Sequence, residues 1–214
     1  FHRQMQRFAR AGVNLPLTTL ITWTGSLCTL IEPLSQASTD LVLSSNYLQA
    51  DETGIKVLDK NKKGAAHQGY FWVYQDSRKN FVFLDNQPTR SKEGPDMVLK
   101  DFRGKLQTDG YETYSHFDDL EGVEQANCMS HARRKFFDAK DNDVGRTDYV
   151  LQQMGLLYAI EEKARDWSAD DRLALRQQDA VPILDRLGAW MKTEYPKLPP
   201  RSAIAKALAY SIHP

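Results

Sequence analysis

The 214 residues, 41% of them apolar, suffice to bury a core as one domain with an appendage or as two small domains. Lys plus Arg balance Asp plus Glu at 28 each, so there is no global basic field to draw the chain onto nucleic acid, and only local patches could do so. Cys28 and Cys128 lie far apart without a CxxC pair, which argues against a disulfide framework and for a reducing cytoplasm; no run is apolar enough to span a bilayer, and no signal peptide is visible.

Residues 3–35 read as helices. "RQMQRFARAGV" places Met5, Phe8 and Ala9 at helical spacing, and Gly12 supplies a stop. Beyond Asn14, Leu20, Trp23, Leu27 and Leu30-Ile31 share one face of a second helix. Helix, glycine turn, helix is the outline of a helix-turn-helix, and Arg3, Arg7 and Arg10 with no acid before Glu32 suit DNA contact. A helical hairpin packed on its neighbour has the same pattern, so both readings stand at this point.

The period then changes. "YLQADETGIKVLD" (47–59), "GYFWVYQD" (69–76) and "NFVFLDN" (80–86) are rich in aromatic and β-branched residues and are joined by the polar turns "KNKKGAAHQ" and "DSRKN". They read as an antiparallel meander, in which Trp72 and Tyr74 alternate with Phe71 and Val73 as ordinary packing. "GPDMVLKDFRG" (94–104) reads as a short helix with Pro95 in its first turn and Gly104 at its end. "GKLQTD" is a fourth strand, a helical turn follows, and "VEQANC" (123–128) is a fifth strand leading into the helix "SHARRKFFDAK".

From about 148 onward the pattern is helical. Val150-Leu151, Met154 and Leu157-Tyr158 form one stripe, Pro182 opens a further helix, and Ser202 caps "AIAKALAYSI" after the linker "PKLPP". The division expected is a helical segment over 1–45, an α/β core over 46–147 and a helical insertion or extension over 148–214.

Three meander strands, a crossover helix, a fourth strand, a helical turn and a fifth strand make a mixed five-stranded sheet, βββαβαβ. The crossover sets strand four parallel to strand one and beside it, and the carboxyl ends of adjacent parallel strands open onto a common crevice. Asp51 and Asp109 lie towards those ends, each with a glycine shortly behind it. A cap or turn explains one such aspartate but not both. Two carboxylates held close repel, so one is protonated or a cation is recruited; oxygen ligands suit Mg2+ or Mn2+. A pair of such ions, roughly 3.5–4 Å apart, serves phosphodiester chemistry. Glycoside hydrolysis needs acids on both sides of the bond and fits less well. Glu52 points to the opposite strand face and reads as structural.

His131, Arg133, Arg134 and Lys135, with Lys140 further on, form the densest basic cluster, with Phe136 and Phe137 as anchors on the other side of the helix. A phosphate clamp and a solvated charged face are the two readings. Cys128 and His131 have ligand-like spacing but no second pair, which argues against zinc.

Four blocks, "ADETG" (50–54), "GYFWVY" (69–74), "TDGYETY" (108–114) and "CMSHARRKF" (128–136), occur in the order and at the spacing of the insertion-sequence-66 family of transposases, which the chain resembles over its whole length. The leading "FARAGVNLPLTTLITW" resembles the helical segment ahead of that family's catalytic domain. The resemblance implies an RNase H-like core of the DDE superfamily, with Asp51 and Asp109 as the first two catalytic acids and metal ligands. It implies two Mg2+ or Mn2+ ions in the complete enzyme and DNA, transposon ends and target, as the partner. It also implies homo-oligomers on that DNA, no membrane, and a cytoplasmic, nucleoid-associated setting. Met129 stands where the family usually has an aromatic.

The family's third acid is a glutamate in an asparagine-rich segment that does not occur here. "KALAYSIHP" resembles the helix before it, and Glu161, Glu162 and Glu194 lie in the helical insertion. With no methionine at its start and no cysteine-rich motif, the chain reads as a fragment, inactive alone. The remaining alternatives are a non-enzymatic DNA-binding or assembly remnant of a transposase and another RNase H-like nuclease.

Overall fold

Gly12, in a left-handed conformation at φ +79°, ends α1 (His2–Arg10) where the sequence places a stop. In the computed structural model, which describes residues 1–58 and 64–212, the chain divides into two units, Phe1–Gly104 and Lys105–Pro214. The expected end of the first strand at Asp59 and the turn residues 60–63 lie outside the described residues, as do His213 and Pro214.

In the first unit, α2 (Leu17–Leu43) runs through Pro33 and is longer than its apolar pattern suggests. Only Leu20 and Val42 of this helix are buried; Trp23, Leu27, Leu30 and Ile31, expected to share a face, are exposed. Helical spacing identifies a stripe but does not supply a surface to cover it. β1 (Tyr47–Leu58), β2 (Ala66–Asp76) and β3 (Phe81–Gln87) form the antiparallel meander, with Asp51 opposite Val73 and Glu52 opposite Trp72. Leu48, Ala50, Trp72 and Tyr74 are buried, together with Val42 and with Leu99 of α3 (Glu93–Leu99). Tyr74 also stacks on Phe83 with ring centroids 5.9 Å apart. The turn between β2 and β3 closes on buried Asp76, whose Oδ1 accepts from the backbone N–H of Arg78 and Lys79.

β4 (Gly104–Thr108) begins at the glycine that opens "GKLQTD", as expected. Its φ is +139°, and a Cβ there would meet the Asn46 carbonyl oxygen at 2.5 Å, so only glycine lets the backbone start a strand this close to the residue before β1. After a 3-10 segment (Glu112–Asp119) comes β5 (Val123–Asn127). The five strands lie in the order β3-β2-β1-β4-β5, a mixed sheet with an antiparallel meander and two parallel pairs. With helices in the crossover positions this is an α/β fold.

The rest of the second unit is helical: α4 (Met129–Asp138), α5 (Val144–Lys163), α6 (Ala169–Leu175), α7 (Val181–Glu194) and α8 (Ala203–Ile212). Ala132, Phe136 and Ala139 of the α4 region pack in one core with Val150 and Met154 of α5, Leu187 and Met191 of α7, and Ile204, Ala207 and Leu208 of α8. Phe137, expected to anchor α4 beside Phe136, is exposed because it lies off that core face. Ser202 caps α8 as expected, its hydroxyl accepting from the Ala205 N–H.

Candidate functional site

In the first unit, Asp51 lies in the first half of β1 and not towards its carboxyl end as expected, because the strand runs on to Leu58. Its side chain is exposed, and Oδ1 accepts from the Glu52 N–H at 2.8 Å. Glu52, one residue on, projects from the other face, as the pleat requires. Its side chain is almost wholly buried and pairs with Arg90, whose Nε donates at 2.7 Å. Glu52 is part of an acidic surrounding, with Asp85 and Asp96, that joins burial in pushing the Tyr74 phenol pKa up.

In the second unit, Asp109 stands immediately after β4, half-buried, and is followed by Gly110 at φ +71°. Asp109 Oδ1 accepts from the Tyr111 N–H at 2.9 Å, and Thr108 Oγ1 accepts from the Gly110 N–H at 3.1 Å. The turn reading of this aspartate is therefore true of one oxygen. The backbone of Thr108 accepts from the Cys128 N–H at 2.9 Å, which ties the end of β4 to the residue preceding α4. His131 sits in the first turn of α4, half-buried; its Nδ1 is buried and makes no hydrogen bond to any described residue.

Arg133 and Arg134 are exposed on α4 beside His131, along a surface hollow that Ser130, Phe137 and Asp138 complete. Lys135, also exposed, holds its ammonium 4.5 Å from the centroid of the Tyr210 ring. Arg3, Arg7 and Arg10 are exposed on α1, a helix with no buried residue. The three glutamates of the helical region are engaged in ion pairs: Glu161 with Arg176, Glu162 with Arg165, and Glu194 with both Arg146 and Lys197.

One residue beside Asp109 has no signature in the sequence. Tyr210 of α8 donates its hydroxyl to the Asp109 backbone oxygen at 2.6 Å, and burial, with Asp109 and Cys128 nearby, pushes its pKa up to about 12. A separation of 101 residues leaves no local signal for that contact.

A family model described as "Transposase IS66 family" matches residues 1–213. Two relatives from Sinorhizobium fredii, the uncharacterized proteins y4jD and y4qI, are each 27% identical over 99% of this chain. The chain spans 44% and 42% of their lengths, less than half of each. Among solved structures, a chain of a simian T-cell lymphotropic virus intasome in complex with PP2A regulatory subunit B56 gamma is similar at a TM-score of 0.30 and 16% identity. The likeness covers 61% of this chain and 47% of that one.

Proposed function

The chain belongs to the transposase IS66 family, and from that premise we propose that Asp51 and Asp109 are the first two carboxylates of a divalent-metal site. The complete protein uses that site to cut DNA at transposon ends and to join the freed 3′-hydroxyl to a target. The observation that carries the reading is the family match over residues 1–213, within which both aspartates fall. Asp51 stands in β1 and Asp109 directly after β4, strands that are neighbours in the sheet order.

Further support is that Asp109 and His131, both in the second unit, each offer a ligand atom, within 4.8 Å of each other. Carboxylate oxygens suit Mg2+ or Mn2+, and the unpartnered buried His131 Nδ1 is consistent with a cation nearby. When bound, such ions, two in the complete enzyme, supply an activated attacking oxygen and neutralise charge at the phosphodiester.

Asp51 and Asp109 bind and orient; Arg133 and Arg134, together with His131, Lys135 and the α1 arginines Arg3, Arg7 and Arg10, meet DNA phosphates. The commitment of Glu161, Glu162 and Glu194 to arginine and lysine partners supports a third acid that is none of these. We accordingly expect this chain to be inactive alone and the DNA complex to be a homo-oligomer. The functional division is the helical segment to residue 45, the core to 147 and the helical extension beyond it.

Crystals soaked in Mn2+ and read by anomalous scattering test the metal site. A peak shared by the Asp51 and Asp109 carboxylates is expected, and its loss in Asp109→Asn. Carboxylates far from any peak, or robust cutting of end-containing DNA by this chain after both aspartates are replaced by asparagine, would sink the assignment.

A further inference from the structure

We propose that Tyr210 is a positioning residue for the metal site: its hydroxyl and ring lock the Asp109–Gly110 peptide and so aim the Asp109 carboxylate. The inference rests on the reading of Asp109 as a metal ligand.

Two contacts converge on this one peptide, and a third holds the ring that makes them. The Tyr210 hydroxyl donates to the Asp109 backbone oxygen at 2.6 Å, the short end of the range for such bonds. Its ring lies so close to Gly110 that an added Cβ would be 2.9 Å from Cε2 and 3.4 Å from Cζ. Lys135, from the helix carrying His131, sits over the same ring at 4.5 Å. Tyr210 touches the main chain of Asp109 rather than its carboxylate, so it acts through Asp109 and not on the metal.

The support is rigid. Ile204, Ala207 and Leu208 of α8 are buried in the core shared with α4, and Asn142 Oδ1 accepts from the Ile204 N–H at 3.2 Å. The other side of the turn is fixed too, by the Asx-type bond from the Tyr111 N–H and the Thr108 bond from the Gly110 N–H. Gly110 is needed twice: its φ of +71° lies in the left-handed region, and its missing side chain leaves room for the ring. Here the hydroxyl links the last described helix to the end of a strand 101 residues earlier. Groups that orient metal ligands from outside commonly change metal affinity about 10–100-fold.

The test compares the whole chain with its Tyr210→Phe, Gly110→Ala and Asp109→Asn variants. Mn2+ affinity is read by electron paramagnetic resonance, the metal-free melting temperature by calorimetry, and metal-free amide exchange at Gly110 and Tyr111 by NMR. Tyr210→Phe keeps the ring and its lysine. It is expected to weaken Mn2+ binding about tenfold and to speed exchange at both amides, with little change in melting temperature. Gly110→Ala disturbs the same contact from the opposite side and is expected to weaken Mn2+ binding at least as much.

Full Mn2+ affinity with unchanged exchange in Tyr210→Phe, while Asp109→Asn loses binding, overturns the positioning role and leaves the metal site standing. Affinity that falls only in proportion to a lowered melting temperature makes Tyr210 structural and also overturns the proposal. Equal binding, or none, by the parent chain and Asp109→Asn removes Asp109 as a ligand, and both readings fall together.

Discussion

Gly104 and Asp109 bracket β4, and each shows what a single residue can be held to. At Gly104 a side chain would meet backbone, not the movable end of another side chain, at a φ that L-residues rarely adopt. Gly104→Ala is therefore expected to cost about 1–3 kcal/mol from backbone strain alone. A urea midpoint unchanged from the parent would contradict this. Asp109 was legible in the sequence because an apolar run, an acid and a glycine stand in a row. Its turn bond to Tyr111 was legible for the same local reason. The grip of Tyr210 was not, since a hydrogen bond between distant residues leaves no periodic trace in either segment.

At the scale of the element, α4 and α2 show what hydrophobic spacing can and cannot decide. Both were found as helices. In α4 the two adjacent phenylalanines were expected to anchor together, yet one helical step of about 100° separates neighbours, and the core accepts only Phe136. Phe136→Ala is expected to cost about 3–5 kcal/mol and Phe137→Ala within about 0.5 kcal/mol, both measured by denaturant unfolding. Equal losses would mean that the core extends around the helix. In α2 the stripe of Trp23, Leu27, Leu30 and Ile31 shares a face, as its spacing predicts, and that face is exposed. Periodicity marks which residues share a face; burial depends on whether another element arrives there.

At the scale of the whole molecule, a net charge of zero means that any attraction to DNA comes from local clusters. If Arg133 and Arg134 each neutralise one phosphate, replacing both with glutamine flattens the dependence of log affinity on log salt by about 1.8, since each phosphate contact contributes about 0.9. An unchanged slope in a binding titration across salt concentrations would exclude them as phosphate contacts. By itself the sequence determined the order of strands and helices, the acid-then-glycine arrangement at Asp51 and Asp109, and the family, because turn chemistry, alternation and short motifs are local and survive in one dimension. Only the tertiary structure decided where β4 starts against Asn46, which face of each helix is covered, that Glu52 is taken by Arg90, and that Tyr210 closes on Asp109. Each of those depends on a partner far along the chain, and chain connectivity alone does not say which distant groups come within bonding distance.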